Sequence, residues 1–176
     1  MGLFDQILGA IDNPNQQASP NQLGSILGAV EQLSGTQGVD AGTTQLAMSV
    51  LGGYVRSALQ NVRSNSGEAQ AQEIVNQFSG TNPNPQAVQS LFGGGQVAQI
   101  VQDIAQRTGI NNATVQAMIP MLVPLVLNLL KTGSNTQNPN QGGNPVLSAF
   151  LDADGDGDVD ITDTISMASR FLNQRG

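Results

Sequence analysis

Residues 104–130 read Ile104-Ala-Gln-Arg-Thr-Gly-Ile-Asn-Asn-Ala-Thr-Val-Gln-Ala-Met-Ile-Pro-Met-Leu-Val-Pro-Leu-Val-Leu-Asn-Leu-Leu130. Gly109 stands where a helix commonly ends in a left-handed residue. Asn111 follows where the next helix needs a side-chain cap for its free amides. The run after it is too long and too continuously apolar for a surface strand and reads as a buried helix over about 112–131. Pro120 and Pro124 remove two backbone donors from that helix and predict a kink.

The same pattern occurs 71 residues earlier, the distance from Gly38 to Gly109. Gly38-Val39-Asp40 matches Gly109-Ile110-Asn111, and Thr43 and Gln45 match Thr114 and Gln116. Leu51, Val55 and Leu59 match Leu122, Val126 and Leu130. Upstream, Gly24 and Val30 match Gly95 and Val101, with Leu33 opposite Ile104. This predicts a duplicated helix pair, one copy over about 22–63 and the other over about 93–131. Each copy has a first helix (about 22–36, and 95–108) and a longer second one (about 41–63, and 112–131). Ala69, Ile74, Val75 and Phe78 predict a further helix between the copies, and Val88, Leu91 and Phe92 another turn or two. Sustained apolar alternation is absent and aromatic residues make up 3% of the chain, so the expected class is all-α.

Residues 12–22, 79–85 and 132–145 are rich in Asn, Gln, Pro, Ser and Gly and read as long loops or linkers. The last separates a helical body, residues 1–131, from a C-terminal segment over 145–176, with 132–144 as linker. At the other end, Leu3, Phe4, Ile7, Leu8 and Ile11 fall on one helical face. That short helix has no basic residue on its polar side, so packing on the body or on another copy is expected rather than a membrane surface. Gln6 stands where a myristoylation sequence has serine or threonine, and the start lacks the basic region of a secretory signal. A cytoplasmic protein is the expectation.

The chain has no cysteine and no histidine, so its sequence rules out disulfides, thiolate nucleophiles, histidine bases and sites that bind zinc through nitrogen or sulfur. Its formal charge is −7 and its pI about 4.1, which argue against nucleic acid and anionic membranes as partners. Residues 104–118 look like a bacterial helix-turn-helix. Groove binding needs cations for the phosphates, and residues 111–130 contain none. The apolar run over 117–130 falls short of the roughly twenty residues of a membrane span. Gly93-Gly94-Gly95 follows no strand and is completed by no lysine, so it is not a phosphate loop. Gly24, Gly28, Gly52 and Gly53 are costly inside helices and are expected where helix backbones approach closely. No general base has a paired partner, and no catalytic residues are assigned.

One stretch does match a known chemistry. Residues 152–163 read Asp-Ala-Asp-Gly-Asp-Gly-Asp-Val-Asp-Ile-Thr-Asp and hold six of the thirteen acidic residues. A calcium ion takes six to eight oxygen ligands, which an EF-hand loop supplies from positions 1, 3, 5, 7, 9 and 12. Those positions are Asp152, Asp154, Asp156, Asp158, Asp160 and Asp163, the fourth acting through its backbone carbonyl. Gly157 falls at position 6, where the chain must turn sharply. Starting the frame at Asp154 would put Val159 there instead, so the register is fixed. Before the loop, Pro145, Val146, Leu147, Phe150 and Leu151 predict an entering helix. After it, Ile161, Ile165, Ala168, Phe171 and Leu172 recur at helical spacing. Asp163 in place of glutamate shortens the closing arm, which lets magnesium compete.

Through Met1-Gly2-Leu3-Phe4-Asp5, the Thr108-Gly109-Ile110 turn and the Pro120/Pro124 helix, residues 1–131 resemble the bacterial domain-of-unknown-function family 937. The resemblance implies an all-helical fold and no established activity. The C-terminal segment is similar to EF-hands and also looks like one half of a dockerin repeat; dockerins carry two repeats, and this chain has one.

The sequence thus predicts a duplicated helix-pair bundle bearing a single EF-hand helix-loop-helix. The expected protein is non-enzymatic and binds calcium, and it acts as an interaction or regulatory module on a protein partner or on its own copies. The other class consistent with the sequence is a self-assembling helical protein in which calcium only stabilises the C-terminal segment. Open at this stage is which apolar surface, its own body's or a second chain's, covers the helices beside the loop.

Overall fold

The computed structural model describes residues 20–80 and 82–131, together with Leu147, Leu151, Arg170 and Asn173. Its five helices are α1 (Pro20–Gln37), α2 (Ala41–Ser66), α3 (Glu68–Phe78), α4 (Pro85–Thr108) and α5 (Asn112–Lys131). The described residues contain no strand, and the class is all-α.

The two glycine turns are built from the residue types that such turns require. Gly38 has φ 65° and Gly109 φ 75°, a region that only glycine enters without cost. Gly109 N–H donates to the Ala105 carbonyl at 2.9 Å, and Val39 N–H to the Ser34 carbonyl at 2.9 Å. The Asp40 side chain accepts from Gly42 N–H at 3.1 Å, and the Asn111 side chain accepts from Ala113 N–H at 2.9 Å. Each cap fills one amide that a helix start leaves without an internal acceptor. Five of the apolar pairs matched 71 residues apart in the sequence share burial. Val30, Leu33, Leu51, Val55 and Leu59 are buried, and so are Val101, Ile104, Leu122, Val126 and Leu130.

Helix α4 carries a break at Gly93 (φ 64°, ψ 172°), which divides it into the short segment expected around Val88 to Phe92 and the longer one ending at Thr108. Asn84 caps its start by accepting from Ala87 N–H at 3.2 Å, with Pro85 in the first turn.

Helix α5 packs against each of the other four helices. Six successive residues, Leu122 to Leu127, are buried, so the helix is enclosed on all sides there. By length and mean hydropathy, 1.8 over its most apolar window, this 20-residue helix could cross a membrane. The helix extends beyond the apolar run over 117–130 at both ends. What places α5 is burial: 61% of the window is buried inside the bundle.

The two prolines leave α5 with carbonyls that its own backbone cannot serve. Pro124 has no N–H to offer the Pro120 carbonyl one turn earlier. The α3–α4 connection supplies that donor, with Asn84 N–H 2.8 Å from Pro120 O, and Gly80 N–H donates to Pro124 O at 3.2 Å. The face of α5 that carries the Pro120 and Pro124 carbonyls is thus met by a loop. Gln116, whose carbonyl Pro120 strands in the same way, is exposed and open to water.

The glycines of α1 differ from the expectation of close helix packing. A Cβ at Gly24 or at Gly28 would meet no atom within 4 Å among the described residues. Neither position is held to glycine by a neighbouring backbone there.

Candidate functional site

The six carboxylates that the sequence assigns to calcium, Asp152, Asp154, Asp156, Asp158, Asp160 and Asp163, lie outside the described residues. The residues just ahead of them are described in part. Leu147 and Leu151 are each helical. Leu147 is 0% exposed and Leu151 1%, and both belong to the hydrophobic core formed with α1 to α5. Gln60 on α2 donates from Nε2 to the carbonyl oxygen of Leu151. Of the apolar residues expected ahead of the acidic run, Leu147 and Leu151 are therefore covered by the chain's own body. Arg170 and Asn173, beyond the loop, are helical and exposed.

Sequence reasoning placed Leu147 and Leu151 on an entering helix. It had no signal for Gln60, a polar residue on a long helix with nothing in its local pattern to mark its partner 91 residues on.

A second polar cluster joins α2 to α4. The Tyr54 hydroxyl donates to Asp103 Oδ2 at 3.0 Å, and Arg107 Nε donates to Asp103 Oδ1 at 3.1 Å. These groups, with the buried Arg56 and the exposed Ser57, line a cavity of about 230 Å³. Burial raises the Tyr54 pKa above 10.0; the hydrogen bond to Asp103 and that residue's charge raise it further, while Arg107 opposes the shift. The phenol therefore stays protonated at neutral pH and acts as the donor that holds Asp103. Arg107 is 61% exposed, so its ion pair is worth at most about 1 kcal/mol.

Two further concavities hold no ionisable lining residue. One, of about 630 Å³, is bounded by α1, α5 and the α3–α4 connection, with Gly28, Leu33, Pro83, Met121 and Leu125 in its walls. The other, of about 340 Å³, lies between the two glycine turns and is lined by Gly38, Val39 and Thr43 together with Gly109, Ile110 and Thr114. Each of the first three is the match, 71 positions earlier, of one of the last three. Among the described residues, no three acidic side chains gather at a spacing that could hold a metal.

The chain matches no family model, no curated protein and no solved structure.

Proposed function

We propose that this chain is a non-enzymatic calcium-binding protein in which one EF-hand loop, residues 152–163, responds to calcium on a duplicated helical body. The observation that carries the reading is the register of the loop: six aspartates at the six ligand positions, with Gly157 at the required turn. A cluster of solvated acids has no reason to keep that order. Without a cation, neighbouring carboxylates about 5 Å apart repel by roughly 1 kcal/mol per pair even in bulk water. Calcium removes that repulsion, so it favours the folded loop over the extended chain.

Support also comes from the position of the loop's first residue. Asp152 directly follows Leu151, which is buried in the body's core. An EF-hand loop needs a helix before it, and Leu147 and Leu151 are helical at the expected place. The likeness between the two halves of the body has its own support: their caps are alike, their matched apolar positions share burial, and their turns line one concavity. We infer a duplicated scaffold, whose role is to hold the loop and to present it to a protein partner or to a second copy.

Isothermal titration with calcium is the test. The expected result is binding at up to millimolar calcium, competed by magnesium, and abolished by Asp152→Ala together with Asp156→Ala. Absence of calcium heat in the wild-type chain, with an unchanged circular dichroism spectrum, overturns the reading.

A further inference from the structure

We propose that Gly67 is a hinge at which α2 and α3 fuse into one helix, so that two copies of this chain exchange halves, residues 20–66 of one packing on residues 68–131 of the other. The exchange involves the helical body and is independent of the calcium reading above.

A single residue separates α2 from α3: Gly67 follows Ser66, where α2 ends, and precedes Glu68, where α3 begins. Its backbone, φ 96° and ψ 165°, lies in a region that is essentially glycine's alone. Yet the two main-chain hydrogen bonds at Gly67 are those of an unbroken helix. Gly67 N–H donates to the Arg63 carbonyl at 3.0 Å, and the Gly67 carbonyl accepts from Ala71 N–H at 3.4 Å. Each bond spans the four residues of an α-helical turn. Helix α3 starts without a side-chain cap. Rotating Gly67 into the helical region keeps both bonds and gives the amides of Glu68, Ala69 and Gln70 the carbonyls of Ser64, Asn65 and Ser66 as acceptors. The product is one helix from Ala41 to Phe78, about 57 Å long.

In a single chain, packing holds the bend. Ala71 and Val75 of α3 are fully buried, and α3 packs against both α2 and α5. Across the hinge α2 also packs on α4 and α5, and α1 on α5, so the two halves share one core. Straightening the hinge uncovers Leu51, Val55 and Leu59 on one side and Ile100, Ile104 and Val123 on the other. The surface that fits each uncovered half is the other half, and a second copy of this chain carries it. Exchange rebuilds the same contacts between chains, so the packing cancels. The hinge, set against the concentration of chains, then decides between monomer and dimer.

A Cβ at Gly67 would meet no atom within 4 Å among the described residues, so Gly67→Ala burdens the bent backbone without a clash there. Alanine also favours the helix. Two hinges straighten in each dimer, so the dimerisation constant measured by sedimentation should rise about a thousandfold over wild type. Inserting Gly-Gly-Ser after Gly67 relaxes the bend and interrupts the fused helix, and should leave a monomer. The chain has no cysteine, so spin labels at Ser57→Cys and Gln77→Cys, both exposed positions, report the geometry. Refolded with excess unlabelled chain, labelled Gly67→Ala should show a separation of about 30 Å along the fused helix, and the insertion variant should not. A Gly67→Ala chain that stays monomeric, or a dimer that keeps the label separation of the insertion variant, overturns the hinge. Should Gly67→Ala fail to fold, the labelled wild-type chain refolded at high concentration carries the test: a dimer with the 30 Å separation supports the exchange, and a monomer overturns it.

Discussion

The amide of Asn84 donates to the carbonyl of Pro120 at 2.8 Å, and that carbonyl is the one Pro124 leaves without a helical donor. The most apolar of the described helices therefore has part of its hydrogen bonding completed by a loop. Pro124→Ala restores an N–H that competes for the Pro120 oxygen. The expected result is faster exchange of the Asn84 amide, measured by hydrogen exchange with NMR. The stability gain should stay below the roughly 3 kcal/mol that separates proline from alanine in an ordinary helix interior, because the loop already fills the vacancy.

Gly24→Ala and Gly28→Ala each place a methyl where no described atom lies within 4 Å. Each should stabilise the fold by about 0.5–1 kcal/mol, which raises the melting temperature by a few degrees in a chain of this size. Gly109→Ala, at φ 75°, should do the opposite and cost about 1–2 kcal/mol. Calorimetry on the three variants checks both signs.

Tyr54 is the sole tyrosine and the chain lacks tryptophan, so ultraviolet absorbance of the tyrosinate reports this one residue. Its pKa is raised in the fold above 10.0, first by burial and then by the bond to Asp103. The neutral phenol is therefore favoured by the folded state. Its contribution is fully present below pH 10 and is lost as pH rises through the folded value. Tyr54→Phe should cost about 1 kcal/mol at neutral pH for the lost hydrogen bond and should flatten the decline of stability at alkaline pH. Urea denaturation at pH 8 and above pH 10 measures both.

Leu151→Ala and Leu147→Ala should each destabilise the body by about 2–5 kcal/mol, although both residues lie beyond the polar linker. Leu46→Ala, at a position 51% exposed, should stay within about 0.5 kcal/mol of wild type. Chemical denaturation read by amide signals from α1 and α2 distinguishes a shared core from a separate C-terminal unit.

Much of the helical body is legible in the sequence because its signals are local. Gly38 and Gly109 announce turns by their lack of a side chain, Asp40 and Asn111 announce caps, and Leu51, Val55 and Leu59 fall at helical spacing on one buried face. The bonds from Asn84 to Pro120 and from Gln60 to Leu151 are not legible. Each joins elements far apart in the chain, and the first uses only main-chain atoms, which every residue type offers alike. Leu147 and Leu151 were legible as a helix face and not as part of the body's core, because the polar run before them reads as a tether. The glycines of α1 misled in the other direction: a missing side chain signals close approach only where something approaches.

Helix α5 also has a bearing on the order in which the chain is made. A ribosome releases residues 80 and 84 before it releases residue 120, and N-terminal parts generally fold first. The amides of Gly80 and Asn84, which donate to α5 carbonyls, are thus already outside when α5 emerges. Its free carbonyl arrives at a surface that already offers donors, so the most apolar of the described helices meets partners synthesised in advance.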